Sequence, residues 1–212
     1  MKNKRSALIY KICIFIYIVT LMICFYYHYQ NHNNYALNMG IVALFTPFLM
    51  PLAFYLLKWK MSDYIKIANI VFVYFASVIG SCAYGYSIPY FDKVVHFFSG
   101  LIASTIGIVI FQQIKHMKKI NNKEDYYIFL IFINAINLSV AVLWEFYEYF
   151  MLVFFNNDCI NHFKTGVHDS LTDMICAFAA GLFITYSVIR YYKTNHKGFF
   201  IQIADDIYDQ NQ

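Results

Sequence analysis

Long apolar runs alternate with short polar segments six times along the chain. The runs cover Ala7–Tyr27, Tyr35–Leu57, Ile65–Tyr84, Val94–Ile114, Tyr126–Phe155 and Leu171–Tyr192. A helix that crosses the hydrocarbon layer needs about 20 apolar residues. Five runs are near that length, and the fifth is long enough to tilt or to project beyond the lipid. The second run contains Pro47 and Pro51. Within a membrane bundle prolines kink a helix, because neighbouring groups take up the freed carbonyls. The pattern predicts an all-α polytopic membrane bundle of about six transmembrane helices over residues 1–193. A polar cytoplasmic tail follows over 194–212. The short apolar stretch Phe199–Ile203 within it allows a brief surface helix, but the polar composition favours a frayed end.

Charge placement sets the expected topology. Thirteen Lys and Arg fall on one side of the alternating loops: Lys2, Lys4 and Arg5; Lys58, Lys60 and Lys66; Lys115, Lys118, Lys119 and Lys123; Arg190, Lys193 and Lys197. Only Lys93 and Lys164 fall on the other side, and Lys11 lies within the first run. The positive-inside bias then places both termini in the cytoplasm of a bacterial inner membrane. The formal charge of +4 is scattered over these short segments, so no nucleic-acid-binding patch is expected.

Composition agrees: 60% of the 212 residues are hydrophobic and 13% charged. Soluble domains carry about 25% charged residues, and disordered chains lack aromatics, so both classes are excluded. The first run is too long for a signal-peptide core and lacks a small-residue cleavage site, so it reads as an uncleaved anchor. Cys13, Cys24 and Cys176 fall within spans and read as small apolar packing residues. Cys82 and Cys159 fall at the expected outer face, where a disulfide between them is one reading. No CxxC motif is present, and no internal repeat.

Ionisable residues inside a span cost about 2.5–3.5 kcal/mol on insertion scales, so they mark the first place to look for function. Asp92 and His96 are four residues apart at the start of the fourth span and share a helix face, which Gly100, Ala103 and Gly107 continue. Glu145 and Glu148 share a face of the fifth span, in line with Ala141, Asn137 and Asn134. Asp169 and Asp173 share a face at the start of the sixth, followed by Ala177 and Ala180. Spans four and six start at the outer face and span five ends there; Glu145 and Glu148 lie roughly 10–15 Å before the end of the fifth run, and they come level with the other four if that long helix projects outward. Carboxylates and an imidazole are hard donors suited to Mg²⁺, Mn²⁺, Fe²⁺ or Zn²⁺. His96, Glu145, Glu148 and Asp173 are the expected ligands, with Asp92 and Asp169 as catalytic residues that orient the ligands or act as general base.

Plainer readings exist for several of these residues. His96 alone would be a hydrogen-bonded packing residue. Asp92 and Asp169 would cap helix starts. Asn134 and Asn137 read as hydrogen-bond glue between helices. Glu145 and Glu148 resist such readings, because they lie in an apolar aromatic segment with no adjacent cation.

The ordered set Asp92-Lys93-x-x-His96-x-x-x-Gly100, Glu145-x-x-Glu148 and Asp169-x-x-x-Asp173 resembles the YjdF-like family of bacterial inner-membrane proteins. More distantly it is similar to the VanZ-like family, whose link to glycopeptide resistance does not carry to this chain. The resemblance covers the last three spans. It implies the membrane fold and the choice of site but names no reaction. The chain departs from the family pattern at Ala177, where the resemblance expects Asn, and at Ala180, where it expects Gly.

Whether the chain is an enzyme is open at this level. One reading is metal-dependent chemistry on an envelope lipid or a lipid-linked substrate. A second is a small proton-coupled transporter using the same carboxylates, for which the absent repeat is unfavourable. A third is a non-catalytic membrane protein whose polar cluster fixes helix packing. The partners expected are membrane lipids, with a homo-oligomer allowed.

Overall fold

The computed structural model describes residues 2–212, which form helices and turns with no strand among them. Six segments are long and apolar enough to cross a membrane: Lys4–Gln30, Asn34–Leu56, Asp63–Cys82, Phe91–Lys115, Lys123–Phe155 and His168–Thr194. Each bound lies within three residues of the one expected from the apolar runs. The chain divides into two compact units, residues up to Val95 together with Asp209–Gln212, and His96–Tyr208.

The first unit contains α1 (Lys2–Gln30), α2 (Asn34–Phe45), α3 (Leu49–Leu56), α4 (Asp63–Val73) and a π-helical continuation, Tyr74–Cys82. The first and third spans run parallel. The Ser6 hydroxyl meets the Asp63 carboxylate at 3.1 Å near one end, and His28 Nε2 donates to the Cys82 carbonyl at 2.8 Å near the other. Tyr17, Leu21, Ala43, Ile70, Val73 and Val78 fill the core between them.

The two prolines interrupt the second span at a 3₁₀ turn, Thr46–Phe48. Each proline lacks the N–H that would bond the carbonyl four residues earlier. Pro47 therefore releases the Ala43 carbonyl, which accepts from Tyr17 Oη at 2.6 Å and Thr46 Oγ1 at 3.3 Å. Pro51 releases the Pro47 carbonyl, which accepts from Asn69 Nδ2 at 2.9 Å. The kink persists because the first and third spans supply the missing donors.

The second unit is built on α5 (Phe91–Lys115), α6 (Lys123–Phe155), α7 (His162–Thr165), α8 (His168–Thr194) and α9 (Phe199–Asp209). The unit boundary falls within α5, whose first turn is continuous with the rest of the helix. α6 runs antiparallel to α5, with Gly107 against Ile133 and Phe111 against Phe129. It also runs antiparallel to α8, with Asn134 on Thr185 and Asn137 on Gly181.

The tail expected to fray instead forms α9. Ile201, Ile203, Ala204, Ile207 and Tyr208 are buried, and so is Asp205. Asp205 accepts from Gln112 Nε2 at 2.9 Å and pairs with Lys197. A buried carboxylate needs such partners, and a composition-based reading of the tail does not reveal them. Beyond α9, the Asn211 side chain donates to the Lys60 carbonyl at 3.0 Å and accepts from the Lys60 N–H at 2.6 Å. The chain end and the loop after α3 thus lie at one end of the first unit. In the second unit Lys119 reaches Asn195 Oδ1 at 2.6 Å, joining the loop after α5 to the end of α8. Both contacts join segments that strict alternation of the spans places on one side.

Candidate metal centre

Two bare surfaces bring α5 and α8 together. A Cβ on Gly100 would lie 2.5 Å from the Ala177 carbonyl oxygen and 2.9 Å from Ala180 Cβ. Such proximity is possible only because position 100 has no side chain. One turn earlier on each helix stand His96 and Asp173. The close contact carries them into range of each other: His96 Nε2 lies 3.8 Å from Asp173 Oδ1. His96 is 5% exposed and Asp173 1%. The Ala177 carbonyl is held from a third side by Asn137 Nδ2 of α6, at 2.7 Å. Ala177 stands where the YjdF-like pattern would place Asn, and the amide that reaches this turn comes from another helix.

Asp92, in the first turn of α5, is half-buried and forms a 3.2 Å ion pair with Lys93. A carboxylate is favoured there by the partial positive charge of the helix start. Ligand atoms of Asp92, His96 and Asp173 all lie within 4.8 Å of one another. Among the described residues this is the one group of three or more His, Cys, Asp or Glu with that property.

Glu145, Glu148 and Asp169 are not among these three. The Asn137–Gly181 contact, eight residues on, pairs Glu145 with Asp173. Glu145 is therefore level with the His96–Asp173 pair. It is buried on the α6 face that also carries Ile133, Asn137 and Ala141. Glu148, half-buried, accepts from the Trp144 indole N–H at 2.8 Å on α6 itself. Asp169 accepts from Asn161 Nδ2 at 2.6 Å, which ties the loop before α8 to its first turn. It does not cap the helix, because the N-cap is Val167. Spacing along a helix shows which residues share a face, whereas the direction each side chain takes depends on how the helices pack.

Sequence reasoning did not single out Asn161 or Trp144. The four-residue spacing of Trp144 and Glu148 is a readable signal for their contact. Asn161 acts from an irregular loop that has no periodicity. The five cysteines are all reduced, and none is joined in a disulfide. Cys159, in the loop after α6, has its thiol pushed up to about 11 by burial, reinforced by the Glu148 and Asp158 carboxylates. A thiolate is the reactive form, and it becomes abundant only as the pH rises towards that value. At pH 8, alkylation of Cys159 is expected to be about a hundredfold slower than that of an ordinary thiol with a pKa near 9. Glu148→Gln removes one of the two carboxylates and should raise the rate. A mass-spectrometric alkylation time course across pH checks both results, and equal rates in the two proteins would remove Glu148 as a cause.

Two carboxylates and an imidazole on two helices form a donor set that suits a hard or borderline divalent cation. Three protein ligands also leave coordination positions for water or substrate, the usual arrangement of a catalytic zinc. Without a cation, clustered carboxylates repel and favour protonation.

Residues 9–194 match the family described as predicted membrane protein (DUF2238), and the chain belongs to that family. With six apolar helices of spanning length, it is a multi-pass membrane protein. Neither the curated proteins nor the solved structures contain a match to the chain.

Proposed function

We propose that this DUF2238 protein holds a divalent metal with Asp92, His96 and Asp173, and acts on an envelope lipid or lipid-linked substrate. The observation that carries the proposal is the convergence of these three side chains within 4.8 Å. In the expected orientation, with both termini in the cytoplasm, the starts of α5 and α8 face outward from a bacterial inner membrane. Mg²⁺, Mn²⁺, Fe²⁺ or Zn²⁺ would suit the donors, and the bound metal would activate water or clamp a phosphate. His96 and Asp173 supply the buried donors, and Asp92 serves as ligand in preference to general base. Glu145, level with them, is the nearest further carboxylate by register. Glu148 and Asp169 shape the acidic rim, and Lys93 meets an anionic headgroup. The resemblance to YjdF-like proteins belongs with this reading, since it rests on the same residues.

A second reading has an observation of its own. The buried His96–Asp173 contact joins α5 to α8 and would fix helix packing even without a ligand. Elemental analysis of the detergent-purified protein separates the two. Near-stoichiometric metal is expected in the wild type and its loss in His96→Ala, with Glu145→Gln/Glu148→Gln as a second variant. Absence of metal in folded wild type, after reconstitution with each of the four ions, would overturn the metal reading and leave packing.

A further inference from the structure

A second cluster of reactive side chains lies in the first unit. Cys24 of α1 and Cys82 at the end of the π-helical segment are both buried in the core of that unit. Both belong to the same cluster of buried side chains. The surrounding backbone fixes both cysteines. His28 lies one turn after Cys24 on α1, and its Nε2 donates to the carbonyl of Cys82 itself at 2.8 Å. The Cys82 thiol is in turn oriented toward the Ala36 carbonyl of α2, 3.7 Å away. Near the same end, Asn33 donates to the Tyr84 hydroxyl, joining the loops that follow α1 and the π-helical segment. In the expected topology this is the outer end, which faces the more oxidising compartment.

We propose that Cys24 and Cys82 form an oxidation site that closes to a disulfide by exchange with a low-molecular-weight disulfide, tying the first span to the third. Cys24, at 9% exposure, is the point of entry; Cys82 is fully enclosed. The Cys24 thiol gives up its proton, and its sulfur attacks the small disulfide. This forms a mixed disulfide and releases one small thiol. The Cys82 sulfur then gives up its proton and attacks the Cys24 sulfur of that mixed disulfide. The Cys24–Cys82 bond forms and a second small thiol leaves. Two protein thiols are oxidised and one small disulfide is reduced to two thiols. Because His28, one turn from Cys24, already holds the Cys82 backbone, the two cysteines stand in one fixed cluster in which a disulfide can close. The carboxylate centre takes no part, so the inference stands whether or not a metal is bound.

The test uses the folded wild-type protein in detergent, incubated with oxidised glutathione or with diamide. Unreacted thiols are then blocked in denaturant, and the digest is analysed without reduction. The expected result is a Cys24–Cys82 linked peptide, two hydrogens lighter than its components. Dithiothreitol should release it, and Cys24→Ser should lack it. The crosslinked protein should also melt at a higher temperature than its reduced form. Recovery of both cysteines as blocked thiols, after conditions that crosslink the denatured chain, would overturn the proposal. So would a linkage of Cys82 to Cys159 in place of Cys24.

Discussion

Gly100→Ala is expected to lower the detergent melting temperature and to weaken metal retention, although alanine is the better helix former. The added Cβ would meet the Ala177 carbonyl oxygen at 2.5 Å and Ala177 Cα at 2.9 Å. Both are backbone atoms and cannot rotate away, so α5 and α8 must separate. Overpacking of this kind costs about 1–3 kcal/mol. The helix-propensity gain of Ala over Gly is about 1 kcal/mol, so the clash wins or at best cancels. Separation also draws His96 away from Asp173, one turn up on each helix. Gly107→Ala is the internal control. There the Cβ would meet Ile133 Cα at 3.4 Å, close to ordinary contact, so the propensity gain should keep the variant near wild-type stability or above. Equal stability and metal content in Gly100→Ala and wild type would show that this contact does not set the site.

Asp173→Asn is expected to abolish metal retention while leaving the fold near its wild-type stability. The amide has nearly the size of the carboxylate but lacks its charge and its strong donor oxygens. Loss of a supporting outer partner already costs 10–100-fold in metal affinity, so loss of a ligand should cost at least about a hundredfold. In the metal-free protein the substitution removes a carboxylate that is 1% exposed, and a buried charge is costly to hold. Its stability penalty should therefore be smaller than that of Gly100→Ala. Metal titration with the purified variant, beside its melting curve, reads both effects. A loss of about 3–5 kcal/mol, the usual cost of breaking a buried ion pair, with no change in metal content, would assign Asp173 to packing.

The four-residue spacing of Asp92 and His96, and of Asp169 and Asp173, puts each pair on one helix face by period alone. Among the described residues, His96, Asp173 and Asp92 form the group whose ligand atoms come within 4.8 Å of one another. Asp169 accepts from Asn161, and Glu148 from Trp144. Spacing along a helix reports which residues share a face and, with the span boundaries, how deep they lie. It contains no information on the rotation of one helix against another. That rotation is set by Gly100 on Ala177 and by Asn137 on the same carbonyl, contacts between residues 77 and 40 positions apart.

By itself the sequence determined the solvent, the number and limits of the spans, the interruption at Pro47 and Pro51, and which ionisable residues share a helix face. Each of these follows from local composition and period, because lipid demands continuous apolar helices whatever they pack against. Tertiary structure decided which donors satisfy the Ala43 and Pro47 carbonyls, that Asp92, His96 and Asp173 converge, and that Cys82 and Cys24 share one buried cluster. It also decided the fate of the tail. The apolar face of α9 is too short to announce itself, and Asp205 tolerates burial because Gln112 of α5 and Lys197, in the segment before α9, are its partners. Close helix packing depends on shape at single positions, and that shape exists only once the helices have met.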